Sequence, residues 1–143
     1  MNVVDQPSRP GAEWLDIVSR PTLHEFSRAF SADPILEATV VAKPLLGVAP
    51  IYEFFRTTRS MYDRIAFVQE TRSIARGYLE WEGVFQGNGV SGVTILTYDA
   101  QGAIQRIRLF HYPYEQLSSF SAELVRRHSL NTKSFHTLSR SAP

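Results

Sequence analysis

The 143-residue sequence contains no cysteine, and that absence excludes two kinds of chemistry. Without a thiol the chain can form neither a disulfide framework nor a thiolate nucleophile or metal ligand. Its four histidines are far apart in sequence, and none has the His-x-x-x-His spacing of a metal-binding helix. We therefore expect neither a metal ion nor another cofactor.

The sequence also lacks an excess of charge of either sign. Fifteen Lys and Arg residues stand against fourteen Asp and Glu residues, and the only basic run is Arg126-Arg127. Nucleic acids and anionic membranes bind clustered positive charge, so we expect neither of them as a partner.

Long apolar runs are absent as well. No stretch is long enough for a signal peptide or a membrane-spanning helix, which predicts a soluble, cytoplasmic protein. A chain of this length with 43% hydrophobic residues has the size of one domain with one core. We expect that domain at residues 12–128, between a flexible arm at 1–11 and a flexible, serine-rich tail at 129–143.

What the sequence does contain is a run of three predicted strands between residues 77 and 114. Leu79, Trp81 and Phe85 alternate with polar residues in the first strand, as in a strand that is buried on one face. Tight turns are predicted at Gln86–Gly89 and Asp99–Gly102, because both segments are rich in residues that tolerate a positive φ. The three strands therefore predict an antiparallel sheet with one apolar face.

The other segments alternate between helical and strand patterns. Helical spacing or capping predicts helices at 14–18, 22–30 and 117–128 and a further helix after Gly47, whereas strands are predicted at 35–43 and 63–74. Asp33-Pro34 is a predicted turn. Helices and strands that are segregated in this way indicate the α+β class, with a small, strongly curved sheet whose apolar face can line a cavity.

Five short segments carry a family resemblance. They are Phe30–Asp33, Lys43–Gly47, Pro50–Phe55, Gln69–Arg72 and Asp99–Phe110. In that order they resemble the Phe-Ala-Asp-Asp turn, Glu-Pro-Arg-Ser-Gly loop, Ala-Ile-Arg-Glu-Phe-Tyr helix, Gln-Glu-Val-Arg strand and closing hairpin of the nuclear transport factor 2-like superfamily. The chain looks most like the ketosteroid isomerase branch and is also similar to SnoaL-like polyketide cyclases. The resemblance implies a cone-shaped, curved antiparallel or mixed sheet wrapped around helices, the cystatin-like α+β barrel.

The catalytic residues of the isomerase are not conserved in this resemblance. That enzyme uses an Asp base together with a Tyr hydroxyl and a protonated Asp that bind the substrate oxygen. The matching positions here are Ala38, Trp14 and Thr94. Alanine cannot accept a proton, so standard ketosteroid isomerisation is not expected, although the Trp14 indole and the Thr94 hydroxyl could still donate to a ligand oxygen.

His111 is the candidate catalytic residue. It shares the predicted inward face of the last strand with Ile107 and Leu109, and a histidine in an apolar cleft can act as a general acid or base. The alternative is a histidine at the end of a strand that is hydrogen-bonded to a neighbour. His24, His128 and His136 are predicted to face solvent.

The predicted function is the binding of a small hydrophobic molecule with an oxygen function, with isomerase- or cyclase-type catalysis as an open possibility. Its predicted ligand-binding residues are Trp14, Ala38, Phe54, Phe55, Leu79, Trp81, Thr94, Ile107 and Leu109. The alternative is a non-catalytic dimeric interaction module whose cavity is filled by side chains.

The opposite face of the predicted sheet is where we expect a second copy of the chain to bind. Cross-strand ion pairs are expected between Glu80 or Glu82 and Arg106 or Arg108. Exposed aromatic residues beside these charges predict a homodimer interface, because relatives pair through this face. These aromatic residues are Tyr78, Phe110 and Tyr112.

Overall fold

A computed structural model of the protein describes residues 9–131. Its helices are α1 (Ala12–Val18), α2 (Leu23–Ser27), α3 (Val48–Arg59) and α4 (Tyr114–Asn131). Its strands are β1 (Phe30–Ala38), β2 (Leu45–Leu46), β3 (Arg64–Arg72), β4 (Arg76–Phe85), β5 (Asn88–Tyr98) and β6 (Ile104–Tyr112). The predicted α+β class is confirmed. Most of the predicted flexible arm and tail lies outside the described residues.

The six strands form one mixed sheet in the order β2-β1-β6-β5-β4-β3. The β1–β6 pair is parallel and the other pairs are antiparallel. The sheet is not closed, so β2 and β3 are its two edges. No helix within the described range is long and apolar enough to cross a membrane.

Both predicted turns are present. Gln86 and Gly87 have φ values of 51° and 80°, as expected for the two central residues of a hairpin turn whose twist matches that of its strands. In the second turn, one carboxylate oxygen of Asp99 accepts hydrogen bonds from the amides of Gln101 and Ala103, and Gly102 has a φ of 85°. The two turns fix the register of β4, β5 and β6.

The core lies between the inner face of this sheet and the helices. Leu79, Trp81 and Phe85 of β4 are buried, which confirms the alternation predicted from the sequence. Helix α3 buries the predicted stripe that includes Phe54 and Phe55. Helix α4 adds Phe120 and Leu124 to the same core.

The boundaries predicted for the first strand are wrong. Strand β1 starts at Phe30, continues through the predicted Asp33-Pro34 turn and ends at Ala38. The strand tolerates Pro34, which has no amide hydrogen, because the pairing with β6 shifts register between Phe30 and Ile35. The Pro34 carbonyl accepts a hydrogen bond from the Gly47 amide at 2.9 Å.

The ion pairs predicted on the outer face of the sheet are also wrong. Arg106 donates to the Glu37 carboxylate from Nε and Nη2 at 3.0 and 2.6 Å, and Arg108 Nε lies 3.6 Å from the same carboxylate. Glu37 is on β1, directly beside β6, whereas Glu80 and Glu82 are on β4, two strands away. Neither Glu80 nor Glu82 pairs with a basic residue of the described part of the chain.

Candidate functional site

A cavity of about 50 Å³ lies between α1, α3 and the inner face of the sheet. Most of the predicted site residues line it: Trp14, Phe54, Phe55, Trp81, Thr94, Leu109 and His111. The remaining lining residues are Leu15, Val18, Thr58, Arg59, Tyr62, Ile65 and Phe67. Aromatic rings therefore form much of its wall, and the rings of Trp14 and Phe55 pack nearly perpendicular to each other with centroids 5.2 Å apart.

Three of the predicted ligand-binding residues lie elsewhere. Ile107 is fully buried in the core, and Ala38, which pairs with Leu109 at the end of β1, is half-buried outside the cavity wall. Leu79 lies at the bottom of a different, polar cleft of about 780 Å³ between the first two helices and the sheet. The position that matches the isomerase base therefore does not line the cavity.

His111 is hydrogen-bonded to Tyr62 inside this site. The His111 Nε2 and Tyr62 hydroxyl oxygen are 2.9 Å apart. The end of β1 holds the histidine backbone in place, because the His111 amide donates to the Thr39 hydroxyl and the Thr39 amide donates to the Leu109 carbonyl. His111 Nδ1 is buried and has no hydrogen-bond partner in the described part of the chain.

Burial keeps both members of this pair uncharged around neutral pH. It lowers the pKa of His111 from 6.5 to about 4, because a charged imidazolium would lose its hydration there. The same loss of hydration raises the pKa of the Tyr62 hydroxyl above its ordinary value. The pair is thus a neutral donor and acceptor set in an apolar wall.

Tyr62 was not among the predicted site residues, although the sequence contains a signal for it. The buried positions Ile51, Phe55 and Thr58 recur at helical spacing along α3, and one further step of four residues reaches Tyr62. The helix itself ends at Arg59, so Tyr62 lies just past the helical segment. The connection nevertheless keeps the Tyr62 ring on the cavity side, where it packs against Trp81.

The other histidines have different surroundings. His24 is exposed on α2, as predicted, and His136 lies outside the described residues. The prediction for His128 is wrong, since its side chain on α4 is only 2% exposed and burial lowers its pKa. Within residues 9–131, no group of three or more His, Asp or Glu side chains is placed to hold a metal ion.

Among the comparisons with known proteins, only the comparison with solved structures found similar proteins. No protein-family model matches the sequence, and no curated protein matches it. A steroid delta-isomerase from Pseudomonas aeruginosa is 20% identical and has a TM-score of 0.73, over 82% of this chain and 88% of that one. A cystatin-like-fold protein from Silicibacter pomeroyi is 14% identical with a TM-score of 0.78, over 94% of this chain and 96% of that one.

This chain has a cystatin-like, ketosteroid isomerase-like fold. A third example is a protein with a ketosteroid isomerase-like fold from Catenulispora acidiphila in complex with trimethylamine, which is 15% identical with a TM-score of 0.56 over 76% of this chain and 88% of that one. Other similar structures include SnoaL-like and polyketide cyclase-like proteins. The resemblance predicted from the five sequence segments is thus confirmed for the fold.

The cavity of this chain differs chemically from an acid-base site built on carboxylates. No Asp or Glu of the described residues lines it. Its polar groups are the Tyr62–His111 pair, the hydroxyls of Thr58 and Thr94, and the Arg59 guanidinium at its edge. Thr94 is 1% exposed, so its side chain is buried in this wall.

Proposed function

We propose that this chain binds a small, mainly apolar molecule with one hydrogen-bonding group in the cavity between α1, α3 and the sheet. The carrying observation is a wall of aromatic rings interrupted by a few polar groups, among them the Tyr62–His111 pair. A mainly apolar ligand that covers this wall removes it from water, which stabilises the complex, and the few polar groups can meet the ligand's hydrogen-bonding group. Binding of this kind does not require the missing isomerase base.

The size of the cavity limits the ligand. Ligand pockets for drug-sized molecules usually measure about 300–1,000 Å³. A cavity of about 50 Å³ has room for about four water-sized groups, because each requires about 10–15 Å³. A steroid does not fit unless side chains move, whereas a ligand as small as the trimethylamine bound to the Catenulispora acidiphila protein does.

Proton transfer is the catalytic role that fits the Tyr62–His111 pair. In this proposal Thr94 and the Trp14 indole donate to a ligand oxygen, and His111 accepts a proton from the ligand at Nε2. The burial that lowers the pKa of His111 also makes it a weak base, which suits ligand protons that are lost easily. Loss of turnover in His111→Ala would support this role, and unchanged turnover would contradict it.

A thermal-shift screen tests the binding proposal. Small neutral molecules, such as 3-methyl-2-butanone and isovaleramide, should raise the melting temperature, because a ligand that binds only the folded state stabilises it. A steroid should produce a smaller shift or none. The absence of a shift with every small molecule would contradict the proposal.

A second candidate function is a dimeric interaction module without catalysis. The small cavity favours it, and so does the outer face of the sheet, where Tyr78, Phe110 and Tyr112 are exposed. Exposed aromatic clusters are typical of interaction surfaces. On that face the unpaired Glu80 and Glu82 lie on β4.

The charge pattern of this outer face fits a second copy of the chain. Its acidic strand, β4, and its basic strand, β6, lie on either side of β5, and Arg106 and Arg108 share the single carboxylate of Glu37. A two-fold axis in the interface plane along β5 would place the acidic strand of one protomer over the basic strand of its partner. We therefore propose a homodimer through this face, which is compatible with either function.

A further inference from the structure

We infer that the molecule bound in the cavity is an anion, a short branched or cyclic monocarboxylate, and that Arg59 binds its carboxylate at the cavity mouth. This inference rests on the proposed ligand-binding function and adds the charge of the ligand. It follows from three observations, which are the position of the cavity mouth, the presence of Arg59 at that mouth and the absence of acidic side chains from the described cavity wall.

The mouth of the cavity is marked by its exposed lining residues. Most of the wall is buried, but Leu15 on α1 and Arg59 at the end of α3 are exposed. The neighbouring Ile65 and Phe67 of the edge strand β3 are half-buried. A ligand that enters between α1, the end of α3 and β3 therefore passes the Arg59 guanidinium first.

Arg59 keeps most of its hydrogen-bonding capacity free for a ligand. Its Nη1 donates to the Val18 carbonyl at 3.2 Å, and this is its one hydrogen bond within the described residues. A guanidinium has five N–H donors, so four remain. No acidic side chain of the described chain lies within ion-pair distance of it.

The rest of the wall neither neutralises nor repels an anion. Arg59 is the only charged side chain among the described lining residues, since burial keeps His111 and Tyr62 uncharged near neutral pH. A carboxylate at the mouth would form charge-assisted hydrogen bonds to the guanidinium while its apolar body occupied the aromatic interior. A cationic ligand would meet a like charge at the same place and no counter-ion inside.

A structural role also accounts for part of the arrangement at Arg59. The residue lies in the last turn of α3, where positive charge is favoured, and its bond to Val18 connects α3 to α1. Glutamine at this position retains an N–H donor for the Val18 carbonyl but has no charge. The substitution Arg59→Gln therefore removes the charge that would bind an anion but can keep the hydrogen bond between α3 and α1.

The test uses three probes of similar size, namely isovalerate, its neutral analogue isovaleramide and the cation trimethylamine. The chain has two tryptophans, Trp14 and Trp81, and both line the cavity, so intrinsic fluorescence responds to binding there. Trp14 also lines the polar cleft of about 780 Å³, so the comparison with Arg59→Gln assigns the signal to this cavity. Calorimetry on the full chain provides the affinities. We expect isovalerate to bind more tightly than isovaleramide and trimethylamine to bind most weakly.

In Arg59→Gln, the affinity for isovalerate should fall about ten- to a hundredfold, as expected for the loss of a charged hydrogen-bonding partner. Its affinity for isovaleramide should change by less than about twofold, because the change removes only charge. Arg59→Lys should keep the preference for isovalerate. Arg56→Gln is the matched control, since Arg56 lies on the same helix, stacks on Tyr52 and does not line the cavity.

Isovaleramide or trimethylamine binding as tightly as isovalerate would overturn the inference and leave the ligand-binding function intact. So would an Arg59→Gln variant with unchanged affinity for isovalerate. If none of the three probes binds the native chain, both this inference and the proposed function are wrong. A melting temperature close to that of the native chain verifies that Arg59→Gln is folded.

Discussion

Trp81 packs edge-to-face against His111 across Gly92, with the two ring centroids 5.0 Å apart. Gly92 is the register partner of Trp81 on β4 and of His111 on β6, so the three residues form one row across the sheet. A Cβ atom at position 92 would overlap the Trp81 indole and the Phe110 carbonyl oxygen. Because Gly92 has no side chain, the Trp81 ring in the cavity wall can contact His111, the candidate catalytic residue.

Replacing Gly92 with Ala should destabilise the fold and displace the Trp81 ring. Overpacking of a filled core costs about 1–3 kcal/mol, and here one of the overlapping atoms is a rigid backbone oxygen. Urea unfolding measures the loss of stability. Gly89→Ala on the same strand is the control, because nothing lies within 4 Å of a Cβ atom at that position. Equal stabilities for the two variants would contradict this account.

Replacing Tyr62 with Phe should lower stability by about 1–3 kcal/mol, because the His111 Nε2 would lose its hydrogen-bond partner inside the protein. The ring remains, so packing against Trp81 and Phe120 is preserved. Tyr114→Phe, at a residue that is 77% exposed and outside the proposed dimer face, is the matched control. If both variants unfold at the same urea concentration, the hydrogen bond contributes nothing to stability.

The sequence predicted those parts of the fold that local patterns determine. The alternation around Leu79 and Trp81 and the two turns required only neighbouring residues, and each is present. The limits of β1 could not be found in the same way, because a parallel partner on β6, far along the chain, keeps Pro34 in an extended strand. Arg106 pairs with Glu37 because β1 is the neighbour of β6 in the sheet. Knowing which face of the sheet a residue occupies does not predict this pair, because the order of the strands is also needed.

For the candidate site, the sequence located most of the aromatic wall but not its polar partners. Tyr62 continues the spacing of the buried positions but lies past the end of α3, and Arg59 is an exposed residue outside that pattern. Their importance follows from the positions of His111 and Val18, their hydrogen-bond partners. The small size of the cavity depends on how the aromatic side chains pack together, which spacing does not reveal.

Stability should fall as the pH is lowered from the ordinary histidine pKa of 6.5 towards the value of about 4 that burial gives His111. In this window the unfolded chain binds a proton at His111 that the folded chain does not, so acid favours unfolding by up to about 3 kcal/mol. His111→Gln should reduce the slope of stability against pH, measured by urea unfolding across this window. The buried His128, whose pKa is also lowered, accounts for part of the remaining slope. An unchanged slope in His111→Gln would contradict the prediction.

The proposed homodimer should dissociate when the outer face of the sheet is made charged. Phe110→Asp combined with Tyr112→Asp adds acidic groups to β6, which the proposed two-fold axis places over the acidic strand β4 of the partner, so the variant should be a monomer in sedimentation velocity. Ile74→Asp, at a fully exposed residue between β3 and β4, is the control and should remain a dimer. A native chain that is monomeric at high concentration would contradict the proposed interface.

The most direct test of the central claim, ligand binding in the aromatic cavity, is an NMR titration of the native chain with isovalerate and isovaleramide. We predict that at least one probe shifts the Trp14 indole N–H and the backbone amides of Thr94 and His111 in a saturable way, while resonances from the outer face of the sheet, such as those of Tyr78 and Glu80, stay in place. If neither probe shifts the cavity resonances, or if the shifts occur only on the outer face, the cavity is not a binding site.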